Sequence, residues 1–303
     1  MELLDWLKEN YQWRNVKFVN EALIETDHGR KRLRYWSDKA LLDWHITWRD
    51  KCSVTPYMLT DRMIRNKEQE PAIEWKDGWV TVHDEVDQPL QVVSNEDKIG
   101  NMIGCMIHYG LHSTTEMKPK NVKEPMFRSL YSHLSYFNEQ QRTFIRSLLR
   151  ESDHRMKKVK MLQEQVKEEK MPLMDPISST DQVKKVYDVI IWYGTKQHPE
   201  LGYYSLREFL ATWLDQHGKD SATRLISAIV EHEKVSRDQA MLLLIECLKA
   251  YELDRLVAVV KRNVTDKEIE GELQKVTSEW ERSKELVQVI SSLIEKKKKV
   301  LTQ

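Results

Sequence analysis

Cysteine is scarce in this chain, and the little there is does not pair. Cys52, Cys105 and Cys247 stand far apart with no Cys-x-x-Cys motif, which argues against a disulfide framework or zinc ribbon and leaves reduced, partly buried thiols. Glycine and proline are scarce too, 9 and 8 in 303 residues. That disfavours a turn-rich β-sandwich and a parallel α/β sheet with Gly-rich crossovers, so helix should dominate. Net charge is missing: 48 basic and 48 acidic side chains cancel, and no global field draws in nucleic acid or an anionic membrane. No run approaches the roughly 18 apolar residues of a membrane span. Met1-Glu2 leads into an acidic amphipathic segment rather than a secretory leader, so the cytoplasm is the expected setting. Gly-x-Ser-x-Gly, His-Glu-x-x-His, Gly-x-Gly-x-x-Gly and Walker patterns are also missing, which removes the commonest hydrolase, metalloprotease and nucleotide-binding readings.

What is present has two textures. Residues 2–13 set Leu3, Leu4, Leu7 and Tyr11 at helical spacing, a short docking helix. Residues 16–25 and 32–36 read as strands around Thr26-Asp27-His28-Gly29, because Asp-x-Gly between alternating apolar runs signals a hairpin. Ser37 is placed to cap a helix over 38–51, with Leu41, Trp44, His45 and Trp48 on one face and Pro56 beyond its end. Residues 60–65, 72–75 and 79–85 read as strands, and Asn95 or Asp97 opens a helix reaching Gly110. A polar linker over 114–126, with Pro119 and Pro125, then separates a small lobe (1–113) from a helical lobe (127–303). Helices are expected over 127–150, 151–170, 180–197, 205–217, 219–232, 236–262 and 266–301, with Ser205 and Glu208 as a capping box. The expected fold class is α+β: a small N-terminal antiparallel sheet carrying one helix, followed by a larger all-helical lobe.

The element order over 18–112 resembles the small lobe of aminoglycoside/choline-kinase-like phosphotransferases. Leu33-Arg34 falls where such families carry Leu-Lys, and Asp38 or Asp43 falls on the helix that would supply a partner acid. Phosphoryl transfer needs a cation for phosphate oxygens, an acid to position it and carboxylates for Mg²⁺. The resemblance therefore implies nucleotide-binding roles for Arg34, Asp38 and Asp43, if nucleotide binds at all. Arginine replaces the compact ammonium, Asp27-His28-Gly29 is no glycine nest, and no His-Gly-Asp…Asn loop follows. The pattern is similar to degenerate kinase-like proteins associated with the spore coat of endospore-forming bacteria. That resemblance implies a non-catalytic protein acting through protein–protein contact, with no cofactor. ATP and Mg²⁺ belong to the alternative of a live small-molecule phosphotransferase. A further alternative is a helical scaffold or nucleic-acid-associated regulator unrelated to kinases.

The other candidates have blander readings. His217-Gly218-Lys219-Asp220 mimics a catalytic loop but lies between helices and reads as a Gly turn. Asp175, before Pro176, reads as a turn or cap residue, and Asp188 as one polar residue on an apolar helix. His108 and His112 share a helix face, but two ligands are no metal site. Seven tryptophans before residue 80 recur at core spacing, and the basic runs 155–160 and 296–299 read as solvated faces. Val276, Trp280, Ser283, Val287, Ile290, Ile294, Lys297 and Leu301 step by four and three. That seam either packs on the body or takes a partner helix.

Overall fold

The computed structural model describes residues 2–53, 58–119, 124–262 and 265–301. In chain order the small lobe holds α1 (Leu3–Tyr11), β1 (Val16–Asn20), β2 (Leu23–Thr26), β3 (Gly29–Trp36), α2 (Lys39–Cys52), β4 (Leu59–Thr60), β5 (Ile73–Trp75) and β6 (Gly78–Asp84). Five of these strands form one antiparallel sheet in the order β1-β2-β3-β6-β5. The expected hairpin at residues 26–29 is there: Thr26 pairs with Gly29, whose φ of +86° suits a residue without Cβ.

Alternation divides the two faces of this sheet. Leu33, Val80 and Val82, with Ile24 and Ile73, form a core under Leu7 and Tyr11 of α1. The opposite face carries Arg32 beside His83, Arg34 beside Thr81 and Trp36 beside Trp79. Trp36 there packs with Leu41 and Leu42 of α2. One face is thus an ordinary core, and the other presents charge inward.

Several boundaries differ from the sequence expectation. Residues 16–25 break into two strands, because Asn20 Oδ1 accepts from the Ala22 N–H and closes a turn. The cap of α2 is Asp38, whose carboxylate accepts from the Leu41 N–H, and not Ser37. Of residues 60–65 only Thr60 is strand, in β4, which joins the other lobe's β9 in parallel. Pro56, residues 120–123 of the expected linker and Lys298-Lys299 lie outside the described residues or side chains.

The larger lobe holds α3 (Glu96–His112), a 3-10 turn (Phe127–Tyr136), α4 (Glu139–Gln165), β7 (Leu173–Met174), β8 (Val183–Val186), β9 (Val189–Trp192), β10 (Glu200–Leu201), α5 (Tyr204–Val230), α6 (Arg237–Leu248), α7 (Asp254–Arg262) and α8 (Asp266–Leu301). Its core runs from α3 through α5 and α6 to α8. Gly100 of α3 lies so close to Ala228 and Leu225 of α5 that no Cβ fits. Residues 127–150 and 151–170 are not two helices: the 3-10 turn precedes a single α4, opened by an Asn138–Gln141 capping box. The segment 205–217 and 219–232 is one helix bent at Gly218, φ +77°. Ser205 builds no capping box; its hydroxyl accepts from Ile177 and its N–H is held by Glu200.

The largest departure is 180–197, expected as helix and folded as the β8–β9 hairpin. Val183, Val186, Val189, Ile190 and Ile191 are β-branched, a composition that fits a pleated surface better than a helix. Asp188 is therefore no polar residue on a helix; it sits exposed in the hairpin turn beside Tyr187, φ +52°. The C-terminal seam packs on the body: Val276, Trp280, Ser283, Ile290 and Ile294 are buried. That face of α8 is not open to a partner helix.

Candidate functional site

The lobes meet where the charged face of the small sheet confronts the segment following β9. Arg34, the sequence candidate on β3, points into this cleft and is largely buried. Its guanidinium donates to the carbonyls of Gly194 at 2.6 Å and Thr195 at 3.2 Å. Its other terminal nitrogen meets Asp61 at 3.0 Å. Neither Asp38 nor Asp43 answers it. Asp38 caps α2, and Asp43 pairs on the surface with Lys39 one turn away.

Asp61 is the acid that does. It follows β4, its side chain is 2% exposed, and three arginines converge on it. Arg32 and Arg34 reach Oδ2 at 2.8 and 3.0 Å, while Arg49 of α2 and the Gly194 N–H reach Oδ1 at 3.0 and 2.9 Å. Burial pushes its carboxyl up, but Arg49, Arg34, His83 and Arg32 together hold it below the usual carboxylate range. Burial lowers Arg34 to about 10, partly offset by Asp61.

Asp175 follows β7 and is completely buried. Both of its oxygens are taken by Thr195, through the backbone N–H at 2.8 Å and the hydroxyl at 2.5 Å. Desolvation raises its pKa, with Arg49 opposing. Two neutral histidines back the cluster. His83 donates to the Asp61 carbonyl at 2.7 Å and accepts from Thr81, which accepts from Trp36. His45 donates to the Gln197 carbonyl at 2.9 Å. Burial, reinforced by Arg49, drives both imidazoles down to about 3.

Tyr193 completes the arrangement. Its hydroxyl accepts from the Val86 N–H at 2.6 Å and reaches the Asp84 carbonyl at 3.5 Å, in the segment that links the sheet to α3. Arg32 lies over its ring at 3.8 Å. Residues 193–197 are thus tied to the small lobe by a phenol, two carbonyls bound to Arg34, and Lys196 on the Tyr35 carbonyl. Gly194 allows this closeness: a Cβ there would lie 2.6 Å from Arg49 and 2.7 Å from Asp175. The cleft is filled by the chain's own polar groups.

No protein-family profile matches this chain, and no curated protein does. Solved structures do. An aminoglycoside phosphotransferase from Alicyclobacillus acidocaldarius superposes with a TM-score of 0.67 at 10% identity, covering 97% of both chains. A spectinomycin phosphotransferase solved with ADP and spectinomycin covers 96% of this chain and 97% of its own at 10% identity, TM-score 0.49. A choline kinase from Cryptosporidium parvum covers 97% and 96% at 10% identity, TM-score 0.45. The fold is that of the aminoglycoside phosphotransferases.

On this fold the acid partner of the β3 cation is Asp61, and the buried carboxylate of the loop after β7 is Asp175. The sequence offered only weak signals for either. Asp61 lay inside an expected strand, and Asp175 read as a turn residue before Pro176. Among the described residues no group of three His, Cys, Asp or Glu side chains could hold a metal ion, and the His108–His112 rings simply abut at 4.9 Å. No described helix is long and apolar enough to cross a membrane. The run 155–160 lies on α4, where Arg155 is buried over Trp280 and Lys157, Lys158 and Lys160 are exposed.

Proposed function

We propose that this protein is a non-catalytic, kinase-like protein that works by protein–protein contact, in sporulation or spore-coat assembly as the spore-coat resemblance implies. The observation that carries the non-catalytic part is the self-occupied cleft. Phosphoryl transfer needs a free cation for phosphate oxygens and free carboxylates for Mg²⁺. Here Arg34 is held by Asp61, Gly194 and Thr195, while Asp61 and Asp175 have both oxygens engaged. A purine edge offers an acceptor beside a donor, the same pair that the Tyr193 hydroxyl presents to Val86 and Asp84. Tyr193 and Asp61 thus take up, within the chain, polar groups of the kind that a nucleotide's base and phosphates need.

A live phosphotransferase is the second reading, because Asp175 keeps one acid in the loop that joins β7 to the β8–β9 hairpin. Thermal unfolding with millimolar Mg-ATP separates the two. Ligand binding to the native state must raise stability with concentration. The expected result is no shift, and a concentration-dependent rise in Tm would sink the non-catalytic reading.

A further inference from the structure

Helix α4 shows solvent a face that carries positive charge and no acid. Its opposite side is buried through Ile145, Leu149, Ser152 and Val159. At 100° per residue, the direction away from that core is taken by Arg146, Arg150, His154, Lys157, Lys158 and Met161. All six are exposed, Met161 at 58%. The row from Arg146 to Lys158 runs for about 18 Å, roughly three turns. The acids of α4 lie around this row and not in it. Asp153 stands on the side of the 3-10 turn, where it accepts from the Tyr131 hydroxyl at 2.6 Å and meets Arg128 at 3.8 Å. Glu151 stands on the side of α8, with Arg155 at 3.3 Å, the Trp280 indole at 3.3 Å and Lys284 at 3.7 Å. Glu139 and Glu164 sit in the first and last turns.

The helix's other cations are placed differently. Arg142 donates to the Phe137 carbonyl, Lys160 lies on the Asp153 flank, and Arg155 turns inward over Trp280. Among the described residues no carboxylate pairs with Arg146, Arg150, Lys157 or Lys158. Helix stability does not account for such a row, because Arg146 and Arg150 are four residues apart and like charges at that spacing weaken a helix. The other long surface helix is built the opposite way: on α8, Lys275 meets Glu272 at 2.8 Å and Lys284 meets Glu281 at 3.1 Å. The width of the row decides what it suits. Asp153 and Glu151 bound it on both sides, so it is one helix face wide. A nucleic-acid duplex or an anionic membrane brings negative charge on a broad front and would meet those acids as well. A single polypeptide segment with carboxylates every three or four residues meets the cations alone, and Met161 gives it an apolar contact at one end.

We propose that this face of α4 docks an acidic helical segment of a partner protein, its carboxylates set on Arg146, Arg150, Lys157 and Lys158. The inference rests on the protein-contact half of the function proposed above and is independent of whether the cleft takes nucleotide.

Fluorescence anisotropy on the full chain tests this. The probe is a labelled alanine-based helical peptide of about 21 residues, roughly 30 Å long, with glutamate every three or four residues along one face. It should bind at low salt, and its affinity should fall about tenfold as added salt screens the pairs. The same peptide with glutamine for glutamate should not bind. Arg150→Glu combined with Lys157→Glu should weaken binding about tenfold or more, with the fold kept because both side chains are exposed and unpaired. Lys76→Glu combined with Lys98→Glu changes the net charge equally outside α4 and should leave binding unchanged. If the α4 glutamate variant does not fold, Arg150→Gln with Lys157→Gln replaces it and should show a smaller loss. No binding of the glutamate peptide, equal binding of the glutamine peptide, tighter binding of duplex DNA or phosphatidylserine vesicles, or full binding by a folded α4 variant would each overturn the proposal. The Mg-ATP titration reads the cleft separately, so a silent peptide leaves its result standing.

Discussion

The buried ion cluster of the inter-lobe cleft and that around Glu252 in the helical lobe, where Arg207 meets Glu252 at 3.0 Å, differ in what becomes of their carboxylate oxygens. In the inter-lobe cleft, Asp61 and Asp175 have both oxygens met by arginines, by the Gly194 and Thr195 N–H groups or by the Thr195 hydroxyl. In the helical lobe, Glu252 has one oxygen crowded by Arg207 and Ser283 and the other buried without a hydrogen bond. The first cluster closes the cleft between the lobes, and the second ties Glu252 to Arg207 of α5 and Ser283 of α8.

The comparison breaks most sharply at Asp61. Removing a buried carboxylate that serves three arginines leaves uncompensated charge, so Asp61→Ala should cost about 3–5 kcal/mol. Urea denaturation reads this directly, and a loss below ~1 kcal/mol would mean that the cleft is solvated and open.

Acid provides a second lever. His45 and His83 fold neutral with pKa near 3, against roughly 6.5 in an unfolded chain. Between those values the unfolded state binds protons that the native state does not, so stability falls as pH drops. Each histidine contributes a slope of up to ~1.4 kcal/mol per pH unit below about pH 6.5. Asp61, held low, adds its own loss only as pH falls below the ordinary carboxylate pKa, whereas the raised Asp175 acts in the opposite sense above that value, where the native state alone holds its proton. Denaturation midpoints at pH 7, 6 and 5 should therefore decline, and His83→Gln should flatten the decline.

Gly194→Ala tests the closeness of the plug. The added methyl would press on Arg49 and Asp175 at once, an overpacking cost of ~1–3 kcal/mol. Unchanged stability would show that residues 193–197 yield easily.

The small lobe was legible because its signals are local. The Asp-x-Gly turn, the alternation on β3 and β6 and the apolar stripe of α2 each need only neighbouring residues. The α8 seam was legible too, but whether it packs on the body or takes a partner helix was left open until the burial of Val276, Trp280 and Ile290 answered it. The candidate site was not. Arg34 was singled out, but its acid, Asp61, lies 27 positions away and its carbonyl partners about 160 away. Only the parallel pairing of β4 with β9 brings them together. Reading 180–197 as helix hid that pairing, because apolar residues at 183, 186, 189 and 190 fit a helical stripe as well as two short strands. The β-branched run and the Tyr187-Asp188 break were the signals that favoured a hairpin.

The smallest predicted effect sets the two acids of the small lobe against each other. Asp43 shared the partner-acid expectation with Asp38, yet it faces solvent from α2, half exposed and paired with Lys39. An exposed i,i+4 pair stabilises a helix by about 0.3–0.5 kcal/mol and is screened by salt. Asp43→Ala should therefore lower stability by no more than ~0.5 kcal/mol, a difference that shrinks in high salt. Asp61→Ala should stay costly at any ionic strength, because buried pairs are screened far less. Parallel urea titrations at low and high salt would show this split. Equal salt sensitivity in the two variants would mean that water reaches Asp61, and the closed-cleft reading would fail with it.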